Sequence, residues 1–367
     1  MIKEIKYKKK KIKTPFFMPD ATRGFLKTLS NDDILKTGTQ AMVVNTFHLY
    51  LQPGMKLIKK AGGIHSFMNY PGLLLSDSGG FQVFSLIYKN PKMGKILEDK
   101  VVFKSPINGS WHELSPEKSI QIQFDLGVDM MVCLDDCPPY GIGKEKMKKS
   151  ITRTTAWAKR CKQEYEKQIK KRKIKKSERP LLFAVIQGGE YMDLRTKSYQ
   201  DLEKIGFDGF GFGARPVDEK GRFLSKILKE TADLIDNKYF KFALGIGTIE
   251  HIYLCEKMGW EIFDCVIPTR EARHGRLFLP TKNILKPKVI NISNSKFAHN
   301  LSAINKSSNI KLLQENSFAY LHHLFKLNEA LGHKMASLNN LEYYQRLMTY
   351  LQEKKNQKTR LNLNNYF

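Results

Sequence analysis

Residues 181–189 read LLFAVIQGG. Six apolar residues in succession, with no polar residue alternating among them, describe a strand covered on both faces. Gln187-Gly188-Gly189 then ends it. Working outward, seven more runs of this kind occur: FFMP (16–19), AMVVN (41–45), LLLS (73–76), MMVCL (130–134), GFGF (209–212), FALGI (242–246) and IFDCVI (262–267). Between most of them lie segments of helical period, namely Asn31–Lys36, Ser115–Asp125, Lys144–Lys176, Met192–Ile205, Phe223–Asp236 and Ile249–Met258. Near-continuous apolar strands joined by helices pair in parallel. Eight such units in a chain of 367 residues predict the α/β class and a closed (β/α)8 TIM barrel. A doubly wound open sheet is the alternative, and no G-x-G-x-x-G or Walker motif supports it.

Other segments decorate that barrel. The first dozen residues alternate Ile and Lys, which suits an edge strand or a hairpin arm. Lys100–Glu113, KVVFKSPINGSWHE, reads as a β-hairpin inserted between strands three and four, turning at Asn108-Gly109. The barrel pattern stops after Phe278. The predicted division is a barrel core over 1–290 and a C-terminal loop and helical subdomain over 291–367, packed on the barrel. Its helices are predicted at roughly Ser317–Ala330 and Leu341–Lys354, and the polar tail from Gln352 is predicted to fray.

Composition narrows the class. With 41% hydrophobic residues a real core is available and global disorder is excluded. The net charge of +26 leaves two readings open: a polyanionic partner such as nucleic acid, or a compositional drift toward Lys, Asn and Ile. The densest basic region, Lys144–Arg179, reads as a solvated helix and loop, because Glu164 and Glu166 interleave and no aromatic platform accompanies it. Five cysteines without C-x-x-C spacing give neither a disulfide framework nor a zinc knuckle. The N-terminus lacks an apolar signal core and no window is apolar enough to span a bilayer, so a cytoplasmic protein with reduced thiols and no membrane partner is expected.

Chemistry in such a barrel sits at the C-terminal ends of the strands. Strand three ends in Asp77-Ser78-Gly79-Gly80-Phe81, strand four in Asp135-Asp136-Cys137, strand five in Gln187-Gly188-Gly189, strand six in Gly213-Ala214, and strand eight delivers Asp264. Taken singly, each has a bland reading: a helix N-cap for Asp77, an ion pair for Asp135, tight turns for the glycines. Taken together they converge on one mouth. Two carboxylates in differing environments can divide into nucleophile and general acid/base. A further acid with an amide can hydrogen-bond a planar heterocycle, on which Phe81 could stack. Beyond Asp264, the stretch FDCVIPTREARHGRLF (263–278) adds Arg270, Arg273 and Arg276, whose guanidinium forks suit a phosphate-bearing substrate.

These strings resemble the tRNA-guanine transglycosylases, also called queuine tRNA-ribosyltransferases. The resemblance rests on NTFHLYLQPG (45–54), LLLSDSGGFQVFS (73–85), INGSWHELSPEKSIQIQFDLGVD (107–129), FAVIQGG (183–189), LGIGT (244–248), FDCVIPTREARHGRLF (263–278) and YLHHLF (320–325), in family order over nearly the whole chain. It implies replacement of guanine at the wobble position of a G-U-N tRNA by a 7-deazaguanine base. Asp264 falls at the family's nucleophile position and Asp77 at its general acid/base. Asp135 and Gln187 match residues that bind the base, Phe81 an aromatic that stacks on it, and Arg270 and Arg273 residues that contact the anticodon loop. Gly213, Ala214 and Val217 fall in the base-binding loop. No redox cofactor or nucleotide is implied, and a homodimer is possible.

Two departures stand out. The family's C-x-C-x-x-C and later histidine, a structural zinc site, align with Ser308, Ile310, Leu313 and Asn339, so no metal and a metal-free subdomain are expected. The family's G-G-L-A-V-G-E reads Gly213-Ala214-Arg215-Pro216-Val217-Asp218-Glu219. Val217 and Cys137 lean toward preQ1 as the incoming base, against preQ0 or queuine. The alternatives are a queuine-using enzyme, a non-catalytic tRNA-binding partner subunit, and a barrel glycosidase sharing only the fold.

Overall fold

Eight parallel strands, one from each apolar run, form a single sheet: β1 (Phe16–Pro19), β2 (Ala41–Asn45), β3 (Leu73–Asp77), β4 (Met130–Val132), β5 (Leu181–Ile186), β6 (Gly209–Phe212), β7 (Phe240–Ala243) and β8 (Ile262–Cys265). They are hydrogen-bonded in the order β1-β8-β7-β6-β5-β4-β3-β2. This is a computed structural model and describes residues 2–7 and 10–364. The seam between β1 and β2 closes just beyond β1, where Asp20 bridges Val43 in parallel, Ala21 N donates to Val43 O at 2.7 Å and Asn45 N donates to Thr22 O at 3.0 Å. The expected TIM barrel is therefore the fold.

Side chains alternate across the barrel wall, as strand geometry requires. Phe16, Met18, Ala41, Val43, Leu73, Leu75, Phe183, Val185, Phe242 and Ile262 fill the interior. The intervening Phe17, Met42, Val44, Leu74, Leu182, Ala184, Ile186, Ala243 and Phe263 pack outward under the helices. Glycines in β6 make this possible: a Cβ on Gly209 would stand 2.6 Å from the Phe183 ring, and one on Gly211 2.4 Å from Leu244. Below the barrel, strands Glu4–Tyr7 and Lys10–Lys13 pair antiparallel and bury Ile5, Tyr7 and Ile12 against the interior residues. The alternating Ile and Lys of this segment thus form a two-stranded stopper; residues 8–9 lie outside the described residues.

The insertion between β3 and β4 is a sheet of three strands rather than two. Val101–Lys104 pairs antiparallel with Trp111–Leu114, as Asn108-Gly109 predicted, and also with Gly94–Ile96. Gly109 adopts φ +75°, the left-handed conformation such a turn needs. Strand β7 begins at Phe240, two residues ahead of FALGI, and Leu244-Gly245-Ile246 already belongs to the loop. The helix after β4 runs Lys144–Lys171.

At the C-terminal end the sequence expectation needs correction. Strands Arg276–Leu279 and Lys288–Asn291 pair antiparallel, and helices Lys311–Glu315 and Phe318–Lys326 precede one long helix, Ala330–Asn364. The helix expected at Leu341–Lys354 starts earlier, and helical backbone extends through Asn364 into the polar tail, whose residues 365–367 lie outside the described residues. Its Met335, Ala336 and Leu338 join a second core with Ile310, Leu313 and Leu321. Its Tyr344, Leu347 and Leu351 join the main core. The Tyr344 ring lies 4.9 Å from Phe17 on β1, and its hydroxyl donates to Gly247 O at 2.6 Å. Among the described residues no helix is long and apolar enough to cross a membrane.

Candidate active site

The inward positions of the strands continue in steps of two past the apolar layers. Leu73 and Leu75 lead to Asp77, Phe183 and Val185 to Gln187, and Ile262 to Asp264. One cavity of about 550 Å³ opens on this top layer, and Asp77, Phe81, Asp135, Gln187, Gly213, Ala214, Val217, Asp264 and Arg270 all line it. Arg273 follows on the same helix as Arg270 (Ile267–Arg273) but stands off the cavity wall.

Asp264 is half-buried, and its Oδ1 accepts from Gly245 N at 2.9 Å. Burial pushes its carboxyl up to about 7, the Gly245 amide opposes this, and the Asp20 charge adds to it. Asp77 is pinned from the neighbouring loop: Thr46 N and Gly79 N donate to Oδ1 at 3.1 and 3.2 Å, and Asn45 Nδ2 donates to Oδ2. It does not cap the helix that follows, Gly80–Lys89, whose N-cap is Gly79 at φ +79°. Burial also raises Asp77 to about 7, assisted by the charges of Asp20 and Asp264 against the amides of Thr46 and Gly79. Phe81, on the first turn of that helix, is 52% exposed at the mouth.

Across the cavity Gln187 Nε2 donates to Asp135 Oδ2 at 2.6 Å, and both residues are buried. Burial raises Asp135 to about 7 against the Gln187 hydrogen bond. Gln187 Oε1 is buried with no hydrogen-bond partner among the described residues, an acceptor that a ligand N–H could satisfy. The second acid of this pair turns away: Asp136 takes Arg153 Nη1 at 2.6 Å and stays off the cavity. Gly213 leaves room for the amide, since a Cβ there would stand 2.6 Å from Gln187 Cδ. Ala214 holds φ +101°, a conformation that disfavours a Cβ, so the loop after β6 carries backbone strain.

Three residues of the site were not singled out in the sequence. Asp20 lines the cavity two positions beyond inward-facing Met18. Strand-end reading that extended to the first run would have found it. Arg195 is fully buried, donating to the carbonyls of Gly189, Ile186 and Gly213 at 2.8, 3.2 and 3.0 Å and stacking 4.2 Å from the Phe212 ring. It ties the loops after β5 and β6 together, and burial lowers it to about 9. His251 stacks on Phe223 at 3.9 Å, behind the Val217–Phe223 bridge.

The four positions aligned with the zinc ligands carry a different donor chemistry. Ile310 and Leu313 are buried in the second core and offer no lone pair. Ser308 Oγ donates to Glu342 Oε2 at 2.6 Å, and Asn339 Nδ2 donates to Phe278 O at 3.0 Å. Such a set does not fit tetrahedral zinc. Among the described residues, no group of three or more His, Cys, Asp or Glu side chains could hold a metal ion.

A TIM barrel whose C-terminal mouth gathers perturbed carboxyls around one cavity defines a barrel enzyme. Comparison with known proteins specifies it. A family model described as queuine tRNA-ribosyltransferase matches residues 2–363. The queuine tRNA-ribosyltransferase of Aliivibrio salmonicida (strain LFI1238) is 38% identical over 351 residues, covering 95% of this chain and 88% of that protein. That of Staphylococcus aureus (strain JH9) is 39% identical over 335 residues, covering 91% and 83%. The chain belongs to the queuine tRNA-ribosyltransferase family, the tRNA-guanine transglycosylases.

Proposed function

We propose that this protein exchanges guanine at the wobble position of G-U-N tRNAs for a 7-deazaguanine through a covalent bond between Asp264 and ribose. One observation carries the reading: Asp264 and Asp77 open on the same cavity, with the Asp135–Gln187 pair across it and a buried acceptor on Gln187 left free. Asp264, ionised, attacks C1′ and the C1′–N9 bond breaks. Asp77 gives its proton to the departing guanine. The incoming base then loses its N9 proton to Asp77, its nitrogen attacks C1′, and the ester to Asp264 is released. Two inversions return the original configuration. No step needs a redox group, because the glycosidic bond is conserved as an ester.

Base recognition follows from the opposite wall. Gln187 Oε1 and the Asp135 carboxylate accept from ring and exocyclic N–H groups, and Phe81 stacks on the flat face. Val217, backed by Phe223, narrows the slot on the substituent side and favours the small preQ1 over queuine. Arg270 and Arg273 hold anticodon-loop nucleotides, and the target base leaves its stack to reach Asp264. The C-terminal segment 291–367 acts as a metal-free subdomain, its zinc positions replaced by apolar packing and the Ser308–Glu342 contact.

The test is incubation of the chain with a G-U-N transcript, labelled guanine and preQ1, preQ0 or queuine, followed by denaturing electrophoresis. A denaturation-resistant RNA adduct, lost in Asp264→Ala, supports the reading. An adduct that persists in that variant refutes it, and competition by queuine alone refutes the preQ1 preference. Zinc near one equivalent in purified protein refutes the metal-free subdomain.

A further inference from the structure

Of the four carboxylates in the mouth, Asp20 has no task in the exchange just described. Asp20 continues the inward series Phe16, Met18 and closes the barrel seam by bridging Val43. Its position is fixed from both sides. On one side β1 pairs with β8, Met18 opposite Asp264 and Pro19 opposite Cys265. On the other, β2 continues from Val43 to Asn45, which lies opposite Asp77. Asp20 therefore stands between the two catalytic candidates in the ring of strands. The electrostatics agree, since its charge bears on Asp77 more than that of Asp264 does, and it also raises Asp264.

Its orientation is set locally. Asp20 Oδ1 accepts from Thr22 N at 2.8 Å and from Thr22 Oγ1 at 2.7 Å. Both bonds go to one oxygen, and the side chain lines the cavity, so Oδ2 remains to accept from a substrate donor. The chemistry of the substrate restricts which donor that is. The nucleobase is met by Asp135 and Gln187 on the far wall. Within a polynucleotide the 3′ and 5′ oxygens of the sugar are esterified. The 2′-hydroxyl is the only donor an internal ribose carries, and its carbon is bonded to C1′, the atom facing Asp264.

We propose that Asp20 is a positioning residue that accepts a hydrogen bond from the 2′-hydroxyl of the nucleotide under attack, so that the site reads ribose against deoxyribose beside the nucleophile. This rests on the transglycosylase reading above. A bond to a charged acceptor that strengthens as C1′ gains positive character assists departure of the base, as hydrogen bonds to the 2-hydroxyl do in glycoside hydrolysis.

The experiment compares two synthetic anticodon stem-loops, identical except that one carries 2′-deoxyguanosine at the target position. Labelled-guanine exchange is measured as kcat/KM for the wild-type chain, Asp20→Asn and Asp20→Val. The wild type should prefer the ribose substrate by at least about tenfold, the loss associated with one hydrogen bond to a charged group. In Asp20→Val that ratio should fall toward unity, whatever common factor both substrates lose through altered electrostatics of Asp77 and Asp264. Asp20→Asn, which keeps an oxygen acceptor, should retain an intermediate ratio. An unchanged ratio in Asp20→Val overturns the inference, as does a wild-type ratio near one, which needs no variant to fold. Absence of exchange by the wild type on the ribose substrate would instead overturn the transglycosylase reading and carry this inference down with it.

Discussion

Replacing Asp264 by Asn should make the protein more stable at alkaline pH while abolishing its exchange activity. Burial holds the Asp264 carboxyl at about 7 against 3.8 for an ordinary aspartate. Below pH 3.8 the folded and unfolded chains both carry the proton, and the group contributes nothing. Between 3.8 and 7 the unfolded chain ionises first, so rising pH favours unfolding. Above 7 the cost is complete, on the order of 4 kcal/mol as a ceiling. The carboxylate is half-buried and lines an open cavity, and screening by solvent removes part of this, so a gain of about 2 kcal/mol is expected at pH 8. Asn has the same shape and can keep the 2.9 Å bond from Gly245 N through its own oxygen. Urea melts of both proteins from pH 4 to pH 8.5 give the measurement. The two curves should meet near pH 4 and separate through pH 7, the variant lying higher. Asp135, also held at about 7, slopes the same way in both proteins, while Asp77 adds a smaller part to the difference in the same direction, because the Asp264 charge assists its rise. Parallel curves, or a variant less stable at pH 8, would refute the claim that this acid is kept at a cost for chemistry.

Three further outcomes are expected. Ala214→Gly should raise stability by about 1 kcal/mol in thermal or urea melts, because it releases the strain of φ +101°; a lower midpoint argues against strain there. Glu342→Ala should cost about 3 kcal/mol, since it strands Ser308 Oγ, Asn309 N and the 2.9 Å partner Arg346 around a buried position, whereas a chelator should not move the wild-type melt; the reverse pattern would restore a metal to the subdomain. Arg270→Ala should weaken stem-loop binding and reduce the salt slope by about one, as loss of one phosphate contact does; an unaltered slope in filter binding removes Arg270 from the RNA path.

The barrel was legible because its strands are apolar on both faces, and Leu181–Ile186 states that pattern without interruption. The top layer was legible where an acid or amide follows such a run, as at Asp77, Asp135, Gln187 and Asp264. Asp20 obeys the same rule but follows a run of four residues ending in proline, and the seam it closes is a single bridge. Arg195 is illegible for a different reason. It lies on a helix among Asp193, Lys197 and Asp201, and only the close approach of Gly188 and Gly213 reveals that its guanidinium is fully buried. The long C-terminal helix hides behind Gly332, Asn339 and Asn340, residues of weak helical preference. Tertiary bonds override that preference: Asn340 Nδ2 reaches the carbonyls of Pro268 and Arg276 at 3.0 and 2.9 Å, and its Oδ1 accepts from Phe278 N at 3.0 Å.

The N-terminal hairpin turns the barrel into a cul-de-sac. Ile5, Tyr7 and Ile12 fill the end opposite the carboxylates, and layers of buried Phe, Val and Leu pack the interior above them. In the proposed exchange an expelled base therefore leaves past the same rim through which its successor arrives, with the RNA docked over that rim throughout. Traffic at the mouth then becomes sequential, one heterocycle at a time, and the lifetime of the proposed sugar-bound intermediate would have to outlast the changeover.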